Sequence, residues 1–478
     1  MDPALRRVFR GRRIGCVRRT FVLLVCTALA VTGVVAIQRL NQERHYRSLL
    51  ADGDRALAAG HAYMAAEAYS GALAIRPDSM VAHYRRGEAY LAERQETQAA
   101  RDLREARRLA PDAPEPLEAL GRLYDARGDH VAAAGWYALA TERLQDTDAA
   151  LLHALALARY RTGDLPAARD AIDRAIARDA SLPECHYLAG LIARDMHRPG
   201  DAVSALEHAV RLRPAFVAAR QELASLHRAQ GRPDAEVAQL RALVSLDEAR
   251  VARHVSLALA SLRAGRHDEA LQSLSAAEAA APGDSRVALA VGRVHLARAE
   301  ATREPEAITD ALAALERALG GTARRSEGLA LYGRALHLSG DLGRAERLLQ
   351  EATRTSPVTT EAFGYLADTA EAAGHPIVAR DALLRLHALQ GDTASPAARA
   401  ARDERIGALS LEADDPRAAL EYLSRATRAG RAGATTLGRL ARAQWETGRI
   451  AEARTTLLTA LTLDPEDAEL RRLARTIR

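Results

Sequence analysis

The sequence predicts an all-α chain, a solenoid of about twelve helix-turn-helix repeats behind one N-terminal transmembrane helix. A 34-residue period runs through most of the 478 residues, small residues return at two fixed places in each period, and an 18-residue stretch without a charge lies near the start. Aromatic residues are only 4% and alanine is abundant, a composition suited to close helix packing.

Residues 1–19 form a basic tail whose seven arginines and one acid carry a local +6 against +5 for the whole chain, so everything after it is nearly neutral. Thr20 to Ile37 is the uncharged stretch, at the short end of what spans a bilayer as a helix. With the arginines massed before it, the positive-inside rule makes residues 20–37 a signal anchor with a cytoplasmic N-terminus and exported repeats. A cleaved signal peptide is the rival reading, because Ala28-Leu29-Ala30 is an A-x-A site and Arg18-Arg19-Thr20-Phe21 resembles a twin-arginine motif. Cleavage would leave a soluble exported chain. Gln38 to His45 reads as a short polar link.

The clearest copy of the repeat runs from Ser326 to Pro357 and reads as two amphipathic helices, with Leu329, Tyr332, Leu336, Leu348 and Leu349 spaced to line one face. One such pair cannot bury its own apolar face and needs neighbours. Gly333 lets a facing helix approach, Gly340 supplies the turn, and Pro357 stops the second helix. The first residues of the twelve units are Tyr46, Met80, Pro114, Ala149, Pro183, Val217, Val251, Ser285, Ser326, Thr360, Ala400 and Ala434. The eighth place is always glycine or alanine, and the twentieth is alanine in eleven units of twelve, against about one position in five along the chain.

These places resemble the tetratricopeptide repeat family over about Tyr46 to Asp467. The resemblance implies a right-handed α-solenoid in which the first helix of each unit lines a groove. Similarity to bacterial anchored repeat proteins implies a scaffold in a cell-envelope or secretion assembly, held on the periplasmic side of the inner membrane. Repeats one to ten occupy residues 46–391, residues 392–399 are a candidate hinge with a possible split near 395, repeats eleven and twelve occupy 400–467, and 468–478 is a capping helix. Glu236 in place of alanine, and Glu248 in place of a terminal proline, predict looser packing in repeat six. Seven extra residues around Glu300 to Thr309 predict longer helices or a protruding loop in repeat eight.

The residues contain no recognisable catalytic set, and no enzyme activity, cofactor or metal is expected. A phosphate-cradling G-x-x-x-x-G-K loop is impossible without lysine, and G-x-S-x-G, H-E-x-x-H and EF-hand patterns are absent. His83, His186 and His254 all fall at the fourth place, where they stand in for a packing aromatic, and Cys185 reads as a buried, inert thiol. A nearly neutral array also argues against nucleic acid as a partner.

The family's groove places nominate Arg122, Arg161, Arg194, Arg228, Arg263, Arg293, Arg334 and Tyr187, with Trp445 on a face that can join them. Asp368, Glu371, Glu404 and Glu412 make an acidic end. The groove then holds a protein partner, or its arginines bind an anionic polysaccharide or acidic peptide directly. The plainer alternative is a row of solvated arginines paired with nearby carboxylates.

Overall fold

The computed structural model describes residues 3–145, 147–321, 325–391, 395–430 and 432–477, with side chains described from residue 29 onward. Among these residues there are 25 helices and no strand. The chain divides into two compact units, Met1–Leu226 and His227–Arg478.

The first unit is built from α1 (Pro3–Ala58), α2 (Ala62–Ile75), α3 (Met80–Ala92), α4 (Glu96–Leu109), α5 (Pro114–Ala126), α6 (His130–Arg143), α7 (Ala149–Arg161), α8 (Leu165–Arg178), α9 (Pro183–Asp195) and α10 (Pro199–Leu212). The division lies within α11 (Val217–Ala229). The second unit continues with α12 (Pro233–Leu246), α13 (Val251–Arg263), α14 (His267–Ala280), α15 (Ser285–Thr302), α16 (Pro305–Leu319), α17 (Arg325–Ser339) and α18 (Leu342–Arg354). It ends with α19 (Thr360–Ala372), α20 (Pro376–Gln390), α21 (Pro396–Glu412), α22 (Pro416–Arg428), α23 (Ala434–Glu446), α24 (Ile450–Leu463) and α25 (Ala468–Thr476). Odd-numbered helices are the first helices of repeats and even-numbered ones the second.

Each hairpin follows from its small residues. A Cβ placed on Gly333 would lie 2.6 Å from Leu349 Cγ, so the eighth place must be small for the second helix to seat its leucine. Gly340, at φ +90°, makes the turn that side chains resist. Asp129, Asp164, Asp341 and Asp415, at one shared place, each accept a backbone N–H three residues on and so cap a second helix. Each such cap contributes about 1 kcal/mol.

The joints between repeats use a device of their own. His83, His186 and His254 place Nε2 3.0, 2.9 and 2.8 Å from the carbonyl oxygens of Pro77, Ala180 and Glu248, six residues earlier. A carbonyl only accepts, so Nε2 carries the proton in all three. Arg220 and Arg471 donate to Pro214 and Pro465 in the same way. The fourth-place histidines therefore tie each joint as well as packing it.

Several expectations change. Repeat six is closed rather than loose: Glu236 is fully buried, Arg228 and Arg263 each donate to its carboxylate at 2.7 Å, and His254 ties the Glu248 joint. The extra residues of repeat eight extend helices, giving α15 18 residues. The polar link is helical, because Gln38–His45 lies within α1. Residues 392–394 of the expected hinge lie outside the described residues, while Ser395 caps α21 through Ala398 N–H and 396–399 form its first turn. In α25, Leu470 is buried against Gly438.

Of the expected anchor, residues 20–28 lie outside the described side chains; Leu29, Val31, Val34 and Ile37 on α1 are exposed. No helix of the described residues is long and apolar enough to cross a membrane.

Candidate functional site

The seven nominated arginines lie on first helices, and every one is engaged by a carboxylate. Arg122 reaches Glu88 at 2.6 Å, Arg161 grips Asp125 with two hydrogen bonds of 2.7 and 2.8 Å, and Arg194 bridges Asp195 and Glu222 at 2.8 and 2.6 Å. Arg228 and Arg263 share Glu236, Arg293 pairs with Glu327, and Arg334 joins Glu300 at 2.8 Å to Asp368 at 3.3 Å. Most of these bonds cross from one first helix to the next, so the arginines staple successive repeats. Half-exposed pairs of this kind contribute up to about 1 kcal/mol each. Glu236 is the exception in kind, because removing either arginine would leave a buried carboxylate partly unpaired.

The surrounding acids and phenols fit this role. Asp195 is held below the usual carboxylate range by its hydrogen bond from Arg194, with Tyr160 adding a second donor. Burial, then the Asp195 hydrogen bond, pushes Tyr160 up to about 12, so it stays a donor. Tyr187 is half-buried against Phe216, ring centroids 5.1 Å apart. The row is a neutral lattice of pairs.

Arg405 belongs to the same lattice and escaped the groove-place pattern. It sits at the sixth place, donates to Asp368 and Glu371 at 2.9 and 2.8 Å, and so neutralises part of the acidic end. Its sign in the sequence was a carboxylate one period away: Glu371 precedes it by 34 residues, as Glu88 precedes Arg122 and Glu300 precedes Arg334.

The pairing lapses in the last repeat. Trp445 is exposed, at 36%, on the wall of a trough of about 480 Å³ between α21, α23 and α25. Arg439 and Arg472 also line it, and among the described residues neither has a carboxylate or hydrogen-bond partner for its guanidinium. Arg442 is held by Glu446 at 2.7 Å. Leu411 and Leu470 give the trough an apolar floor, and Glu412 and Glu469 stand on its edge.

The remaining nominated groups do not meet. His186 stacks on His208 with ring centroids 5.4 Å apart, while His83 and His254 sit in other repeats. Burial pushes the Cys185 thiol up to about 11, which keeps it protonated and unreactive. No three His, Cys, Asp or Glu side chains among the described residues converge as a metal-ion site.

Successive helical hairpins whose first helices are linked side chain to side chain within each unit define a helical repeat protein. Residues 187–252 and 410–477 match two family models described as tetratricopeptide repeat, and the chain carries tetratricopeptide repeats there. No curated protein matches. Similar solved structures include YrrB, titled a TPR protein with an unusual peptide-binding site, at 17% identity and TM-score 0.34 over 39% of this chain and 95% of that one. The APC/C hetero-tetramer Cut9-Hcn1 is similar at 12% identity and TM-score 0.36 over 90% and 96%, and the pilus biogenesis factor PilW at 17% and 0.35 over 43% and 92%.

Proposed function

We propose that the chain is a non-enzymatic scaffold, tethered to a membrane by the apolar part of α1, that holds a protein partner along its first-helix face. The observation that carries this reading is the C-terminal trough, where an exposed indole lies with two guanidinium groups that have no partner among the described residues, at the end of the lattice of arginine–carboxylate pairs. Trp445 offers an apolar stacking surface, and Arg439 and Arg472 offer donors to backbone carbonyls or carboxylates of a bound segment. The anionic-polysaccharide alternative is less favoured, because each nominated arginine would first have to leave its carboxylate. Envelope location rests on the arginine-flanked apolar run.

The test is affinity capture from solubilised membranes with the intact chain, beside Trp445→Ala and Arg439→Ala/Arg472→Ala variants. The variants should lose the co-purifying partner by about tenfold, the usual scale for an aromatic or arginine anchor. Unchanged capture by both would overturn the site, and release of the intact chain from membranes by alkaline carbonate would overturn the tether.

A further inference from the structure

Gaps lie between successive second helices, over the first helix between them, at more than one joint. Between repeats four and five, where α8 and α10 flank α9, the gap is a cavity of about 230 Å³. Between repeats nine and ten, where α18 and α20 flank α19, it is about 840 Å³. The residues at matching places differ in kind. His186, Ala189 and Asp201 line the small gap, whereas Phe363, Leu366 and Val378 take their places in the large one.

The large gap is an apolar trough with a charged rim. Leu384 and Leu389 extend its lining along α20, and Val358 and Leu389 are exposed to 44% and 59%. Arg354 and Arg385 stand exposed at its edges, and among the described residues neither has a carboxylate or hydrogen-bond partner for its guanidinium. The rim acid Asp381 is taken by Arg380 at 3.0 Å. From Val378 to Leu389 the α20 side spans about 16 Å, roughly three turns of a helix.

We propose that this trough is a docking site for an acidic amphipathic α-helix of a partner protein. The occupant's apolar stripe would enter between α18 and α20, and carboxylates bordering that stripe would meet Arg354 and Arg385. The shape selects a helix, because a slot between two parallel helices receives side chains at i, i+3, i+4 and i+7. The charge selects acids, because two cations without partners border an apolar floor. The site lies on the second-helix side and is separate from the trough at Trp445.

The test uses the full chain and a fluorescein-labelled model peptide of about sixteen residues, some four helical turns, with a leucine stripe bordered by glutamates. A second peptide carries arginines in place of the glutamates. Anisotropy should show the glutamate peptide binding about tenfold more tightly than the arginine peptide, with the preference reversed in Arg354→Glu/Arg385→Glu. Leu389→Asp, at an exposed position, should weaken the glutamate peptide about tenfold, and Trp445→Ala should leave it unchanged. Equal binding of the two peptides, no binding, or a preference that survives the double charge reversal would each overturn the proposal. So would binding confined to anionic phospholipid vesicles.

Discussion

The two gaps between second helices are built on one plan and finished differently. In repeats four and five the gap is small, with His186 and Asp201 among its lining, and His186 stacks on His208 of the same hairpin. In repeats nine and ten the matching places hold Phe363 and Arg385, and the gap stays open and apolar. Both hairpins beneath are closed alike, Gly190 receiving Leu206 in one and Ala367 and Leu383 buried together in the other. The repeat thus fixes how each hairpin shuts and leaves free what lies between hairpins. Recognition can vary there without cost to the fold.

That contrast can be broken at its base. Gly190→Leu drives a side chain into Leu206, whose Cγ would lie 2.6 Å from the new Cβ. Overpacking of this severity should cost about 3 kcal/mol, read as a lower denaturation midpoint. Leu366→Ala removes the floor of the large gap; because that floor already borders open space, the loss should be about 2 kcal/mol, at the low end for a buried leucine. It should also weaken the glutamate peptide, whereas Gly190→Leu should not. An equal loss of peptide binding in both variants would break the comparison.

The smallest effect is pH. Burial, then Arg211 and His186, holds the His208 imidazole below its ordinary value, while Glu207 opposes them. The fold therefore favours neutral His208, and the unfolded chain takes up the proton first as pH falls below about 6.5. Stability from this group is present above that pH and is lost on acidification. Hydrogen-exchange protection of α9 and α10 should fall slightly between about pH 7 and 5.5, the change kept small because His208 is exposed and solvent screens its charge, and His208→Gln should flatten the change. A dependence that persists in His208→Gln would place the titration elsewhere.

The fold was legible because the features that close a hairpin are residue types at fixed places: a small eighth residue, an alanine at the twentieth, a turn glycine. The capping helix was legible for the same reason, Leu470, Leu473 and Ile477 recurring on one face. Arginine pairing was half legible. The residue types were visible, but each partner lies a full period away, and only Arg122 with Glu88 or Arg334 with Glu300 shows how regular that offset is. Glu236 was misread because a carboxylate at a tight place suggests loosening until two arginines from neighbouring first helices are seen to reach it. The trough over Leu366 left no mark, since its width depends on how α18 and α20 lie.

α1 runs unbroken for 56 residues, from Pro3 to Ala58, about 84 Å at 1.5 Å per residue. Glu43 is held by both Arg47 and Arg76, and the Arg76 guanidinium lies 4.5 Å from the centre of the Tyr46 ring, which fastens the helix to the base of the first hairpin. There is no swivel between the apolar run and the first repeat. Under the proposed membrane tether the helix would act as a mast rather than a leash: nine residues from Ile37 to Tyr46 would set a stand-off of about 14 Å, and turning the helix about its axis would turn the first repeat by the same angle.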